Sequence, residues 1–144
     1  MTRKDRGHYA LKHPTDRKAN QKVIDAVKKR TSESTISCAK AFSIAEELRM
    51  PPGEIGVTLD LLEIRIVKCQ LGLHGYGPKG KRLDPVDNVA PELEEAVRGA
   101  LINGRLPCTR AWEISEKMGL GKMDVSSACE ALKIKISSCQ LGAF

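Results

Sequence analysis

The stretch Ile36 to His74 occurs twice. Laid over Leu106 to Phe144 at a constant offset of 70 it aligns without a gap, and upstream Val23, Ala26 and Val27 fall on Leu93, Ala96 and Val97. The matches are chemical as well as literal: Lys40/Arg110, Ala41/Ala111, Phe42/Trp112, Ile44/Ile114, Glu46/Glu116, Leu48/Met118, Ile55/Val125, Leu62/Leu132 and Ile64/Ile134. Both copies run into the same tetrapeptide, Cys69-Gln70-Leu71-Gly72 and Cys139-Gln140-Leu141-Gly142. Such a duplication implies one supersecondary unit used twice, most simply about a pseudo-two-fold axis. Units of about 50 residues are marginal alone, so one continuous core is expected, with Phe42 and Trp112 buried at matching points.

Local signals place the elements. Asn20 is an N-cap for a helix to about Arg30 with an apolar stripe of Val23, Ile24 and Val27. Thr31 to Thr35 is polar turn, and Thr35-Ile36-Ser37 a very short strand. From Cys38 to Leu48 the residues Ala41, Phe42, Ile44, Ala45 and Leu48 recur at helical spacing. Arg49 to Gly53 breaks that helix, and Pro52 opens a third, to about Leu62, that buries Ile55, Leu59 and Leu62. The β-branched run Ile64 to Leu71 reads as a strand, although Ile64 and Ile66 lie on one face by parity and Val67, Cys69 and Leu71 on the other. The second copy repeats the plan, with helices after Pro91, over Thr109 to Met118 and over Gly121 to Leu132, then a strand from Lys133 to Leu141. This is a mainly α protein with short β-strands, divided into an irregular basic arm (1–19), repeat 1 (20–74), a basic Gly/Pro linker (75–88) and repeat 2 (89–144).

Three helices, a sharp turn between the second and third, and a strand directly after form the skeleton of a winged helix-turn-helix. The passage Ile44-Ala45-Glu46-Glu47-Leu48-Arg49-Met50-Pro51-Pro52-Gly53-Glu54-Ile55 resembles the core turn of such domains in prokaryotic transcription regulators, and Ile114 to Leu120 is similar, with Gly119 at the position these turns favour. The resemblance implies two fused winged-helix-like repeats whose third helices enter the DNA major groove. Two features depart from that pattern. Pro52 to Glu63 holds Glu54, Asp60 and Glu63 and no basic residue, and Gly121 to Leu132 holds only Lys122 against Asp124 and Glu130, so both helices would repel a duplex. A wing needs a hairpin, whereas each copy has one strand; the strands pair either with each other or each with the segment before its second helix.

Charge is concentrated at one end. Of a net +6, residues 1–30 carry ten Lys or Arg against three Asp, a local balance of +7, so the remainder is −1. A polyanion should therefore meet the N-terminal end first. The candidate nucleic-acid contacts are Arg3, Lys4 and Arg6 on the arm, Lys28, Lys29 and Arg30 in the last turn of the first helix, and the equivalent pairs Lys40/Arg110 and Arg65/Lys135. The loop Gly75-Tyr76-Gly77-Pro78-Lys79-Gly80-Lys81 lacks the ending and the strand-to-helix setting of a phosphate loop.

Cys38, Cys69, Cys108 and Cys139 form two equivalent pairs, and Cys129 stands outside the pattern. No Cys-x-x-Cys spacing occurs, so they read first as small buried apolar residues and only secondarily as thiolate ligands. His8, His13 and His74 fall into no nucleophile–base spacing. No cofactor and no catalysis are expected. With no apolar run of spanning length and no apolar segment behind Met1 to Asp5, neither a membrane partner nor a location other than the cytoplasm is expected. The leading expectation is a non-enzymatic DNA-binding protein, a transcriptional regulator. The alternatives are a protein-interaction module using the acidic third helices and apolar strand ends, and a thiol-based metal or redox sensor.

Overall fold

The computed structural model describes residues 8–78, 80–84 and 86–144. It is mainly helical, with a few short strands. Two compact units divide the chain: Met1–Cys69 together with Gln140–Phe144, and Gln70–Cys139. These limits differ from the sequence boundaries, since residues 70–74 and the linker 75–88 belong to the second unit and the last five residues to the first.

In the first unit a short 3-10 helix, Tyr9–Lys12, precedes α1 (Gln21–Arg30). The Asn20 side chain accepts from the Lys22 N–H at 2.8 Å and so starts α1, as its residue type suggests. Val23 and Val27 are fully buried on the inner side of α1. Ser32 and Thr35 exchange backbone hydrogen bonds of 2.9 Å, closing the turn into β1 (Thr35–Ser37). Ser37 then caps α2 (Cys38–Leu48), its hydroxyl accepting from the Lys40 N–H at 3.2 Å. Arg49 ends α2 in the left-handed region (φ 52), and the Met50 N–H donates back to the Ala45 carbonyl at 2.9 Å. Pro51 is extended and Pro52 begins α3 (Pro52–Leu61). Ile44, Ile55 and Leu59 lose all exposure, each burial stabilising by about 1.5–3 kcal/mol.

The strand β2 (Arg65–Val67) lies parallel to β1, with Ile36 opposite Ile66. Of the two pairings open in the sequence, the strand takes the segment before its own second helix. A parallel pair across a helical crossover is not the antiparallel hairpin from which a wing is built. β2 is also much shorter than Ile64 to Leu71. Lys68 adopts φ 50 and turns the chain out of the extended region, which re-aims the side chains that follow and lets Ile64, Ile66, Cys69 and Leu71 all be buried.

The second unit holds α4 (Pro91–Gly99), β3 (Leu106–Pro107), α5 (Cys108–Met118), α6 (Lys122–Ala131) and β4 (Ile136–Ser137). Each helix begins 70 residues after its counterpart, and β3 pairs with β4 in parallel, Leu106 opposite Ile136. The left-handed positions correspond as well: Glu33, Ser34, Arg49, Glu63, Lys68 and Gly72 have Asn103, Gly104, Gly119, Lys133, Ser138 and Gly142 at the same offset. Phe42 and Trp112 are both half-buried rather than central to their cores. Residues of the linker are folded onto their own unit: Tyr76 and Gly80 exchange backbone hydrogen bonds, and the Arg82 N–H donates to the Gly72 carbonyl at 2.8 Å. Among the described residues no helix is long and apolar enough to cross a membrane.

Candidate nucleic-acid interface

The cations expected to meet DNA are distributed unevenly. Arg3, Lys4 and Arg6 lie outside the described residues. Lys28 and Lys29 are exposed in the last turn of α1, where the negative end of the helix dipole also favours them. Arg30 is half-buried and tied to Glu47 of α2, so its charge serves the packing of two helices. Arg65 is half-buried at the start of β2, its N–H donating to the Ser34 carbonyl at 2.9 Å, and therefore borders the same turn that follows Lys28 and Lys29. Lys40 is exposed in the first turn of α2. Because Arg30 reaches Glu47 near the other end of α2, Lys40 stands about 10 Å farther along that helix. In the second unit Arg110 is exposed and 3.6 Å from Glu113, and Lys135 is exposed just before β4.

A denser site lies where sequence reading placed only an irregular arm. The 3-10 helix packs on α3, and Tyr9 is 4% exposed. The backbone N–H groups of Tyr9 and Ala10 both donate to the Glu63 carboxylate, at 3.0 and 2.9 Å. Lys12 Nζ lies 3.2 Å from Asp60 and donates to the Gly142 carbonyl at 3.0 Å, and His13 Nε2 sits 2.8 Å from the same Asp60 oxygen. Arg17 Nη2 donates to both oxygens of Glu54, at 2.9 and 3.1 Å. All three carboxylates that made this helix look hostile to DNA are thus engaged by the arm. The burial of Ile55, Gly56, Thr58, Leu59 and Asp60 leaves α3 little free face, so it is not displayed as a groove-reading helix.

Tyr9, Lys12, Asp60, Ile64, Ile66 and Ala143 line a partly open cavity of about 10 Å³, the space of one water, and the buried Tyr9 hydroxyl has no protein partner. No small-molecule substrate fits there. Sequence reading missed the cluster because its contacts join residues 37 to 130 positions apart, and the arm has no period to mark it as structured. The available signal was complementarity: a helix with only acidic charge and an arm with mostly basic charge in one chain.

The second unit treats its third helix differently. Asp124 accepts from the Gly121 N–H at 2.9 Å, Glu130 is 3.4 Å from Lys81, and Lys122 lies over the Trp112 ring at 4.5 Å from its centre. The thiols are unbridged, with Cys38, Cys69, Cys108 and Cys129 buried and Cys139 half-buried. Among the described residues no group of three or more His, Cys, Asp or Glu is placed to hold a metal ion. Burial pushes the Cys129 thiol up to about 11, which makes it a poor nucleophile and ligand at neutral pH.

No protein-family model, curated protein or solved structure matches the chain. The functional reading therefore rests on the residues themselves.

Proposed function

We propose that the chain is a non-enzymatic DNA-binding protein, a regulator built from two copies of one helix-turn-helix-like unit. Phosphates are met by the cationic end of the first unit, Lys28, Lys29 and Arg65, with Lys40 as an outlying contact, rather than by insertion of α3. The observation that carries this reading is the exposed Lys28–Lys29 pair, with no carboxylate of the described residues in ion-pair contact. At the same backbone position in the second unit, α4 has Arg98 and Gly99, and its other charges are Glu92, Glu94 and Glu95. The second unit keeps a cation opposite Lys28 and has none opposite Lys29, so the fold does not itself require the pair, which favours a role for it outside the fold. The wing of the winged helix has no part in the reading, and contact is to backbone phosphate rather than to base edges.

The test is a titration with duplex DNA at several salt concentrations. The wild-type chain should show a steep log–log dependence, and K28A/K29A should weaken binding and reduce the slope by about 2, near 0.9 for each phosphate no longer neutralised. No binding, or a slope unchanged by that double substitution, would overturn the proposal.

A further inference from the structure

The polar contacts of residues 8–17 with α3 and the turn that follows it are of one kind. Backbone N–H groups, an ammonium, an imidazole and a guanidinium each approach a carboxylate of Glu63, Asp60 or Glu54. Carboxylate and phosphate oxygens are interchangeable to such donors, and the Arg17 fork fits either. Apolar anchoring of the segment falls to Tyr9, since Leu11 is 83% exposed, and the buried Tyr9 hydroxyl is left without a protein partner. Arg17 and Glu54 are both substantially exposed, so salt and competing anions reach that pair. The arm is thus held by charge, on a helix whose charge imitates that of a nucleic-acid backbone.

We infer that α3 of the first unit, with the turn that follows it, is an internal competitor for nucleic acid: the carboxylates of Glu54, Asp60 and Glu63 hold residues 8–17 until duplex phosphates draw Lys12, His13 and Arg17 away from them. The inference rests on the DNA-binding reading above. It makes arm docking and DNA binding mutually exclusive at Lys12, His13 and Arg17, so by linkage whatever weakens docking strengthens DNA binding, by at most the same factor.

The experiment uses the full chain, wild type and E54Q/E63Q, with Asp60 left intact because it is buried. The control is E46Q/E92Q, which removes the same charge from exposed residues that make no ion pair or hydrogen bond with residues 8–17. E54Q/E63Q should bind a short duplex roughly fivefold more tightly than the control does. In the wild-type chain, hydrogen exchange at the Tyr9 and Ala10 amides should be slow when free and accelerate when duplex is added. Binding by all three proteins with no advantage of E54Q/E63Q over the control, or with those amides still protected in the complex, would refute the competition while leaving the DNA reading in place. No binding by any of the three would remove both.

Discussion

The two units set unlike side chains on helices that begin 70 residues apart, and the contrast between α1 and α4 is the sharpest case. α1 carries Lys22, Lys28, Lys29 and Arg30 against Asp25, whereas α4 carries Glu92, Glu94 and Glu95 against Arg98. Both keep the same inward pair, Val23 and Val27 in one, Leu93 and Val97 in the other. Each set of charges also suits its own end of the helix dipole, cations in the last turn of α1 and carboxylates in the first turn of α4. Buried stripes and left-handed turns therefore decide the fold, and the surface is free to diverge.

The third helices differ in a way that should have the largest consequence. A Cβ on Gly56 of α3 would lie 1.8 Å from the Leu141 carbonyl oxygen, so backbone must shift to accept it. Its counterpart in α6 is Ser126, a residue with a side chain, 1% exposed and bonded back to the Lys122 carbonyl. G56A should cost about 3 kcal/mol, and S126A at most about 1. Denaturant unfolding followed by the fluorescence of Trp112, which lies in the second unit, and by circular dichroism would show whether G56A acts on the first unit alone. Equal shifts in both signals would mean the units melt together, and equal effects of the two substitutions would erase the contrast.

A second asymmetry sits one turn farther on, where Leu59 in α3 corresponds to Cys129 in α6, both essentially fully buried. The Cys129 thiol is raised from 9.0 to about 11 by burial, so the folded state keeps its proton while the unfolded state gives it up. Its contribution is complete below pH 9 and is lost as pH rises toward 11, by about 2 to 3 kcal/mol. Thermal melts from pH 8 to 11 should show this alkaline loss through Trp112, and C129A should remove it. Alkylation at pH 8 should modify half-buried Cys139 well before Cys129. The smallest effect concerns the turns after α2 and α5, where Arg49 and Gly119 both adopt the left-handed region. R49G should stabilise by up to about 1 kcal/mol, because glycine enters that region without strain; a loss of stability would show that the Arg49 side chain does more than occupy the turn.

Much of this architecture was legible in the residues and some was not, for reasons that can be named. The bounds of α1 and α2 and the start of α3 follow from Asn20, from the spacing of Ala41, Ile44 and Ala45, and from Pro52, all of which act within one or two turns. Pairing of β1 with β2 joins residues 30 apart and leaves no local mark. The early end of β2 depends on Lys68 taking a left-handed conformation that its residue type does not advertise. Of the ten expected nucleic-acid contacts, Lys28, Lys29, Lys40 and Lys135 are exposed and Arg65 half-buried, whereas Arg30 and Arg110 have carboxylate neighbours. The arm was the largest miss, because electrostatic docking over long sequence separation has no periodicity to detect.

The assignment of residues 140–144 to the first unit bears on how the protein is made. Leu141 and Ala143 are buried there, and Leu141 sits against Gly56. During synthesis at about 5 to 20 residues per second, the stretch between residue 69 and residue 140 takes roughly 4 to 14 seconds to emerge. The unit whose translation starts earlier must therefore wait, incomplete, while the other acquires its whole sequence, and the order of completion on the ribosome is the reverse of the order of birth.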